Sequence, residues 1–173
     1  MPETLKLFIP PEEIQEMVRR LAGEIRADYS SKDPVLIGVL KGASVFLSDL
    51  VREIDSPLEI DFVQTSSYGK RSTPAEKVTV SRELSGDITG RDVIVVDGII
   101  DRGHTVSALL EYIRSKGPAS VRICTLLLRD GKAHGFDIDY IGATIRDGFV
   151  VGYGMDYKEH YRNLPAIYFM ADC

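Results

Sequence analysis

Two carboxylates, Asp97 and Asp101, flank a segment that passes from an apolar run into a helix: Val93-Ile94-Val95-Val96-Asp97-Gly98-Ile99-Ile100-Asp101-Arg102-Gly103-His104-Thr105-Val106-Ser107. Val93 to Val96 are continuous and β-branched, the pattern of a strand buried on both faces of a parallel sheet, while Val106, Leu109, Leu110 and Ile113 recur at helical spacing. The polar turn between them predicts an anion site at a strand's carboxyl end. The backbone N–H groups of residues 102 to 105 and the positive end of the helix dipole face a ligand there, Gly103 permits close approach of the backbone, and Thr105 adds a hydroxyl. Carboxylates beside such a cradle repel a bare anion. A ligand that suits both has a phosphate on one side and hydroxyls or a metal-bound group on the other, as a sugar phosphate does. An ordinary strand-to-helix turn with a solvated Asp pair accounts for the same residues.

The elements that must position this turn are legible from periodicity. Pro11, Glu12 and Glu13 followed by Ile14, Met17, Val18, Leu21 and Ile25 predict an amphipathic helix ending near Asp28. Val35 to Leu40 is a buried strand, and after Lys41-Gly42 the residues Val45, Phe46, Leu50, Val51 and Ile54 mark a helix returning to the sheet. Leu58 to Thr65 alternates as a strand, residues 66 to 76 form a polar loop with Gly69 and Pro74, and Val78 to Ser81 resumes extended structure. A strand at Val93 to Val96, a helix from Thr105 to about Lys116, a strand at Val121 to Leu128, and short strands near 138–145, 149–152 and 167–170 complete the pattern. Alternating strands and helices predict an α/β fold with a mainly parallel twisted sheet flanked by helices. Ligands of such folds bind outside the carboxyl ends of the strands, where Lys41-Gly42 and Asp97 to Thr105 both fall.

A chain of 173 residues is expected to fold as one domain. Its net charge of −5 and the lack of a dense Lys/Arg block argue against nucleic acid as the main partner. Cys124 lies in an apolar run and Cys173 stands alone, so zinc and disulfide readings are weak. No apolar stretch reaches the length of a membrane span, and Glu3, Lys6 and Pro10 to Glu13 interrupt any signal sequence, so a soluble cytoplasmic protein is expected.

Four motifs in one order span most of the chain: Leu40-Lys41-Gly42; Ser66-Ser67-Tyr68-Gly69; Val95 to Gly103; and Phe149-Val150-Val151-Gly152-Tyr153-Gly154-Met155-Asp156-Tyr157 with Tyr161-Arg162-Asn163-Leu164-Pro165. Together they resemble the purine phosphoribosyltransferases of bacterial hypoxanthine-guanine type. The resemblance implies the type I phosphoribosyltransferase fold, with a small hood built from terminal segments and a mobile loop at about 66–76. It implies transfer of a 5-phosphoribosyl group from phosphoribosyl diphosphate (PRPP) to a 6-oxopurine, with Mg2+ as cofactor and a homodimer or homotetramer as the assembly. Asp101 then resembles the general base for the purine ring proton, Arg102, Gly103, His104 and Thr105 the 5′-phosphate loop, and Asp97 the acid on the ribose hydroxyls. Lys41-Gly42 resembles the diphosphate loop, which carries a non-proline cis peptide, and Arg162 a diphosphate-binding cation. Phe149 is implied to stack on the base, Val150 to hydrogen-bond its edge, Asp156 to help hold magnesium, and Ser67 and Tyr68 to belong to the closing loop. Read from the residues alone, Phe149 also suits core packing, Arg162 and His104 suit the surface, and Ser67 and Tyr68 suit a turn.

Two positions depart from the family pattern. Gly98 stands where a second acid is usual, leaving the ribose hydroxyls to Asp97. Arg129, after Leu126-Leu127-Leu128, aligns with the lysine that donates to the 6-oxo group, and Lys132 is a weaker stand-in. Arginine keeps the cationic donor but presents a broad planar fork, which can reorder hypoxanthine, guanine and xanthine. The rival function is a PRPP- or nucleotide-sensing regulator on the same fold; the retained Asp101 argues for the enzyme. His134 and His160 belong to no constellation and are expected at the surface.

Overall fold

The structure is a computed structural model and describes residues 5–68, 77–130, 135–146 and 148–170. Its first element, β1 (Leu5–Ile9), has no counterpart among the predicted strands, because a five-residue segment with Leu7 54% exposed shows no one-sided pattern. α1 (Pro11–Asp28) begins on Pro11 with Glu12 and Glu13 in its first turn, and buries Ile14, Met17, Val18, Leu21, Ala22 and Ile25, as the 3.6-residue period requires. β2 (Val35–Leu40) and α2 (Ser44–Glu53) form the first strand-helix unit, followed by β3 (Glu59–Tyr68) and β4 (Lys77–Arg82). β5 (Asp92–Ile100), α3 (His104–Ser115), β6 (Ser120–Arg129) and β7 (Tyr140–Ile145) complete the main layer, and β8 (Phe149–Val151) and β9 (Ile167–Met170) follow.

Six strands lie in the order β4-β3-β2-β5-β6-β7, parallel except for β4, which pairs antiparallel with β3 at one edge. Alternate residues of the central strands serve two cores. Val35, Ile37, Val39, Val93 and Val95 pack with Val106, Leu109, Leu110 and Ile113 of α3, while Leu36, Ile94 and Val96 pack with Leu21 and Ile25 of α1 and Phe46, Leu47 and Leu50 of α2. Each such side chain, fully withdrawn from water, contributes about 1.5–3 kcal/mol before conformational entropy is charged against it. At the far edge, Arg20 of α1 donates to the Ile141 and Gly142 carbonyls of β7 (3.0 and 2.6 Å), occupying acceptors that an exposed edge would offer another chain. A second, antiparallel sheet, β1-β9-β8, joins the two ends of the described chain into the hood.

Two predicted boundaries move. β5 does not stop at Val96: Asp97 pairs with Thr125, Ile99 with Leu127 and Ile100 with Leu128 of β6, so the strand carries its polar pair inside it and the turn shrinks to Asp101–Gly103. Backbone ladder bonds and the apolar Ile99 and Ile100 outweigh the turn-like look of Asp97-Gly98. Likewise Ser66 to Tyr68 continue β3, opposite Thr79 to Lys77 of β4, rather than opening a loop; residues 69–76 of the expected mobile loop lie outside the described residues. Lys132, His134 and Cys173 also lie outside them. Cys124 is buried in the core as a free thiol. Among the described residues no helix is long and apolar enough to cross a membrane.

Candidate active site

β2 and β5 are neighbours from which the sheet is built outward in opposite directions, toward β3 and toward β6, and their carboxyl ends leave a crevice. A cleft of about 380 Å³ opens there, lined by Leu40, Lys41, Gly42, Ile99, Asp101 and Arg129 from the main sheet and by Phe149, Val150, Met155, Asp156 and Arg162 from the hood side. The structure thus brings together eight of the residues singled out in the sequence as binding or catalytic groups, from segments far apart in the chain.

The phosphate-loop candidate follows β5. Gly103 caps α3 with φ +75°, a left-handed conformation that a side chain resists, and no side chain caps the helix start. Arg102 and His104 are exposed, while Thr105 is partly buried. This turn and Asp97 do not line the cleft itself; the turn adjoins it through Asp101. Asp97 is half-buried, and withdrawal from water raises its carboxyl to about 7, more than the N–H groups of Gly98 (2.7 Å) and Ile99 lower it.

At the end of β6, Arg129 sets its Nε 3.2 Å from Asp101 Oδ1 and donates from Nη1 to the Arg146 carbonyl (2.9 Å). The Nε contact is an ion pair without the geometry of a hydrogen bond. The Arg129 side chain is 14% exposed, and these two contacts hold its guanidinium beside the proposed base. Phe149 is 40% exposed and meets Tyr157 edge-on, ring centroids 5.6 Å apart; the aromatic is therefore a cleft wall and not core packing.

The Lys41 turn carries a non-proline cis peptide, at Leu40–Lys41, one bond before Lys41-Gly42. Its Gly42 carbonyl is nested against two glycines: a Cβ on Gly98 would lie 3.1 Å from it, and Gly154, at φ +95°, has no room for a side chain there. Gly98 therefore belongs to the packing of the turn on β5. Opposite, Arg162 donates to the Gly154 carbonyl (2.9 Å) and pairs with Asp156 Oδ1 (2.8 Å), so it is a partly buried anchor and not a loose surface cation. Tyr153, left-handed at φ +51°, donates to Asp49 of α2 (2.5 Å) and ties this segment to the main layer.

Residues not anticipated from the sequence are Met155 on the cleft wall and Glu159, whose Oε2 receives the Lys41 ammonium at 2.7 Å. Nothing in the polar run Tyr157 to Tyr161 marks Glu159 out, since its partner is distant in the chain. His160 is exposed, as expected.

A family model described as a phosphoribosyl transferase domain matches residues 11–158. The chain is 42% identical over 163 residues to the hypoxanthine-guanine phosphoribosyltransferase of Bacillus subtilis, covering 94% of this chain and 91% of that protein. It is also 42% identical to the bifunctional protein TilS/HprT of Listeria innocua, of whose length the match spans only 25%. A crystal structure of a hypoxanthine-guanine phosphoribosyltransferase from Bacillus anthracis, with HEPES in the active site, superposes with TM-score 0.92 at 39% identity, covering 98% and 100% of the two chains. A hypoxanthine phosphoribosyltransferase from Staphylococcus aureus gives 0.91 at 36% identity, covering 96% and 92%. With its parallel sheet, hood and strand-end cleft, this chain belongs to the hypoxanthine-guanine phosphoribosyltransferases of the type I phosphoribosyltransferase family.

Proposed function

We propose that this protein transfers the 5-phosphoribosyl group of PRPP to a ring nitrogen of hypoxanthine or guanine, giving the nucleoside monophosphate and pyrophosphate in purine salvage. The observation that carries the reading is the meeting of Lys41, Asp101 and Arg129 at three strand ends with Phe149, Asp156 and Arg162 across one cleft. In this reading the ribose C1–O bond to diphosphate breaks as the purine nitrogen bonds to C1, and positive charge gathers on the sugar ring. Asp97 holds the ribose hydroxyls, the N–H groups of residues 102 to 105 hold the 5′-phosphate, and Asp101 accepts the purine ring proton. Arg129, fixed by Asp101 and the Arg146 carbonyl, donates to the 6-oxo group, a contact that adenine's amino group cannot accept. Phe149 stacks on the base, and the Val150 backbone meets its edge. Ser67 and Tyr68, the last residues of β3, lead into the segment that closes over the reacting atoms.

The donor set suits magnesium carried in with the substrate. Among the described residues no group of three or more His, Cys, Asp or Glu converges, whereas Asp156 supplies one carboxylate beside the diphosphate-binding side. Magnesium commonly takes one or two protein carboxylates and completes its shell with phosphate oxygens and water. When bound, it offsets charge on the leaving diphosphate. A cytoplasmic homodimer or homotetramer is the proposed setting.

The test is product identification. With PRPP and magnesium, hypoxanthine should give IMP and guanine GMP, with no AMP from adenine. Binding of PRPP without any nucleotide product would favour the regulatory reading instead.

A further inference from the structure

An acid that takes no part in the reaction as described joins the two cations assigned to diphosphate. Glu159 Oε2 lies 2.7 Å from Lys41 Nζ, and its Oε1 lies 3.4 Å from Arg162 Nη2, so one carboxylate spans a residue of the main sheet and a residue of the hood. Its backbone is left-handed at φ +68°, between Lys158 at +50° and Tyr161 at +76°, and its N–H donates to Asp156 Oδ2 at 2.8 Å. Asparagine or glycine suits such a backbone better than glutamate, so the turn itself does not ask for this side chain. What glutamate adds is reach and charge. Lys41 also holds the Glu159 carboxyl below the usual carboxylate range, with Arg162 a smaller cause.

We propose that Glu159 is a positioning residue that stands in for diphosphate: in the ligand-free protein it draws Lys41 and Arg162 onto one carboxylate, and the incoming diphosphate replaces it on both. The inference rests on reading Lys41 and Arg162 as the diphosphate-binding cations. Lys41 is 55% and Glu159 64% exposed, so their pair is screened by water and weak enough for a multiply charged anion to displace. Lys41 and Arg162 are balanced one for one by Asp156 and Glu159, and removing Glu159 leaves one positive charge uncompensated where the diphosphate binds. The exchange keeps the Lys41 turn and the hood in register before substrate arrives, and it weakens the hold on pyrophosphate after transfer.

The experiment measures inhibition by inorganic pyrophosphate against PRPP in the full chain. Glu159→Gln should tighten pyrophosphate by about 2- to 5-fold and lower KM for PRPP in parallel, while KM for hypoxanthine stays unchanged. Glu159→Asn, which suits the left-handed turn but cannot reach Lys41, should tighten pyrophosphate similarly, separating lost charge from a damaged turn. In a Lys41→Met background, Glu159→Gln should lose most of its effect. If Lys41→Met weakens pyrophosphate but neither Glu159 variant tightens it, the inference fails and the diphosphate reading stands. If Lys41→Met leaves pyrophosphate affinity unchanged, the diphosphate reading fails and takes the inference with it.

Discussion

The turn at 102–105 and the hood segment at 152–162 are two candidate supports for a phosphorylated ligand, and they differ in kind. The turn presents backbone: an uncapped helix start behind a left-handed Gly103, with Arg102 and His104 exposed beside it. The hood segment presents side chains: Arg162 on Asp156 and Gly154, and Glu159 on Lys41. A backbone site is set by φ and ψ and tolerates changes of neighbouring side chain. An ionic site can exchange partners, but it depends on salt and on each charge. In the proposed reaction the proton transfer sits between them, at Asp101.

The largest effect should come from the group that belongs to neither support. Asp101→Asn is expected to lower kcat by about 10²–10⁴-fold, the usual range for losing a general base, with PRPP affinity changed less than about threefold. An unchanged kcat would remove Asp101 from proton transfer.

Asp97 gives the next effect, read as stability against pH. Its carboxyl titrates near 7 in the folded protein against 3.8 in the unfolded chain, so the folded form holds an extra proton between those values and loses stability as pH rises through them. Asp97→Asn cannot ionise. Relative to the parent it should gain on the order of 2 kcal/mol between pH 4 and pH 8 in urea denaturation, a figure discounted for the part-exposure of the carboxylate. A parallel pH dependence of the two proteins would contradict the burial argument.

Gly103 tests the backbone half. Gly103→Ala must hold a left-handed φ of +75°, costing about 1–2 kcal/mol and weakening PRPP by about 10-fold, whereas Arg102→Ala and His104→Ala should each change PRPP KM by less than about threefold. Equal effects at all three positions would move the phosphate contact from backbone to side chains. Gly98 gives the smallest: Gly98→Ala should raise KM for PRPP by about 2- to 3-fold, because its Cβ falls 3.1 Å from the Gly42 carbonyl and presses on the Lys41 turn. An unaltered KM would show that the turn yields freely.

The same contrast explains what could be read in the sequence. α1 and β2 were legible to their ends because Pro11, the Ile14-to-Ile25 period and the unbroken Val35–Leu40 run are local signals. The helix-start turn was legible for the same reason, since strand, glycine and helix are consecutive. β5 beyond Val96 was not, because Asp97-Gly98 carries turn chemistry while the ladder to β6 holds it extended. β1 carries no local signal, because its partner β9 lies at the other end of the chain. The motifs single out Asp101 and Arg162, both of which line the cleft, but the Arg129–Asp101 and Glu159–Lys41 pairs depend on three-dimensional meetings that no local pattern encodes.

The most direct test of this division of labour is PRPP binding without a purine base, measured by calorimetry on Asp101→Asn and Lys41→Met side by side with magnesium present. The Asp101 variant should bind PRPP nearly as the parent does while failing to turn over, and the Lys41 variant should lose PRPP affinity. Lost PRPP binding in Asp101→Asn with full binding in Lys41→Met would contradict that division.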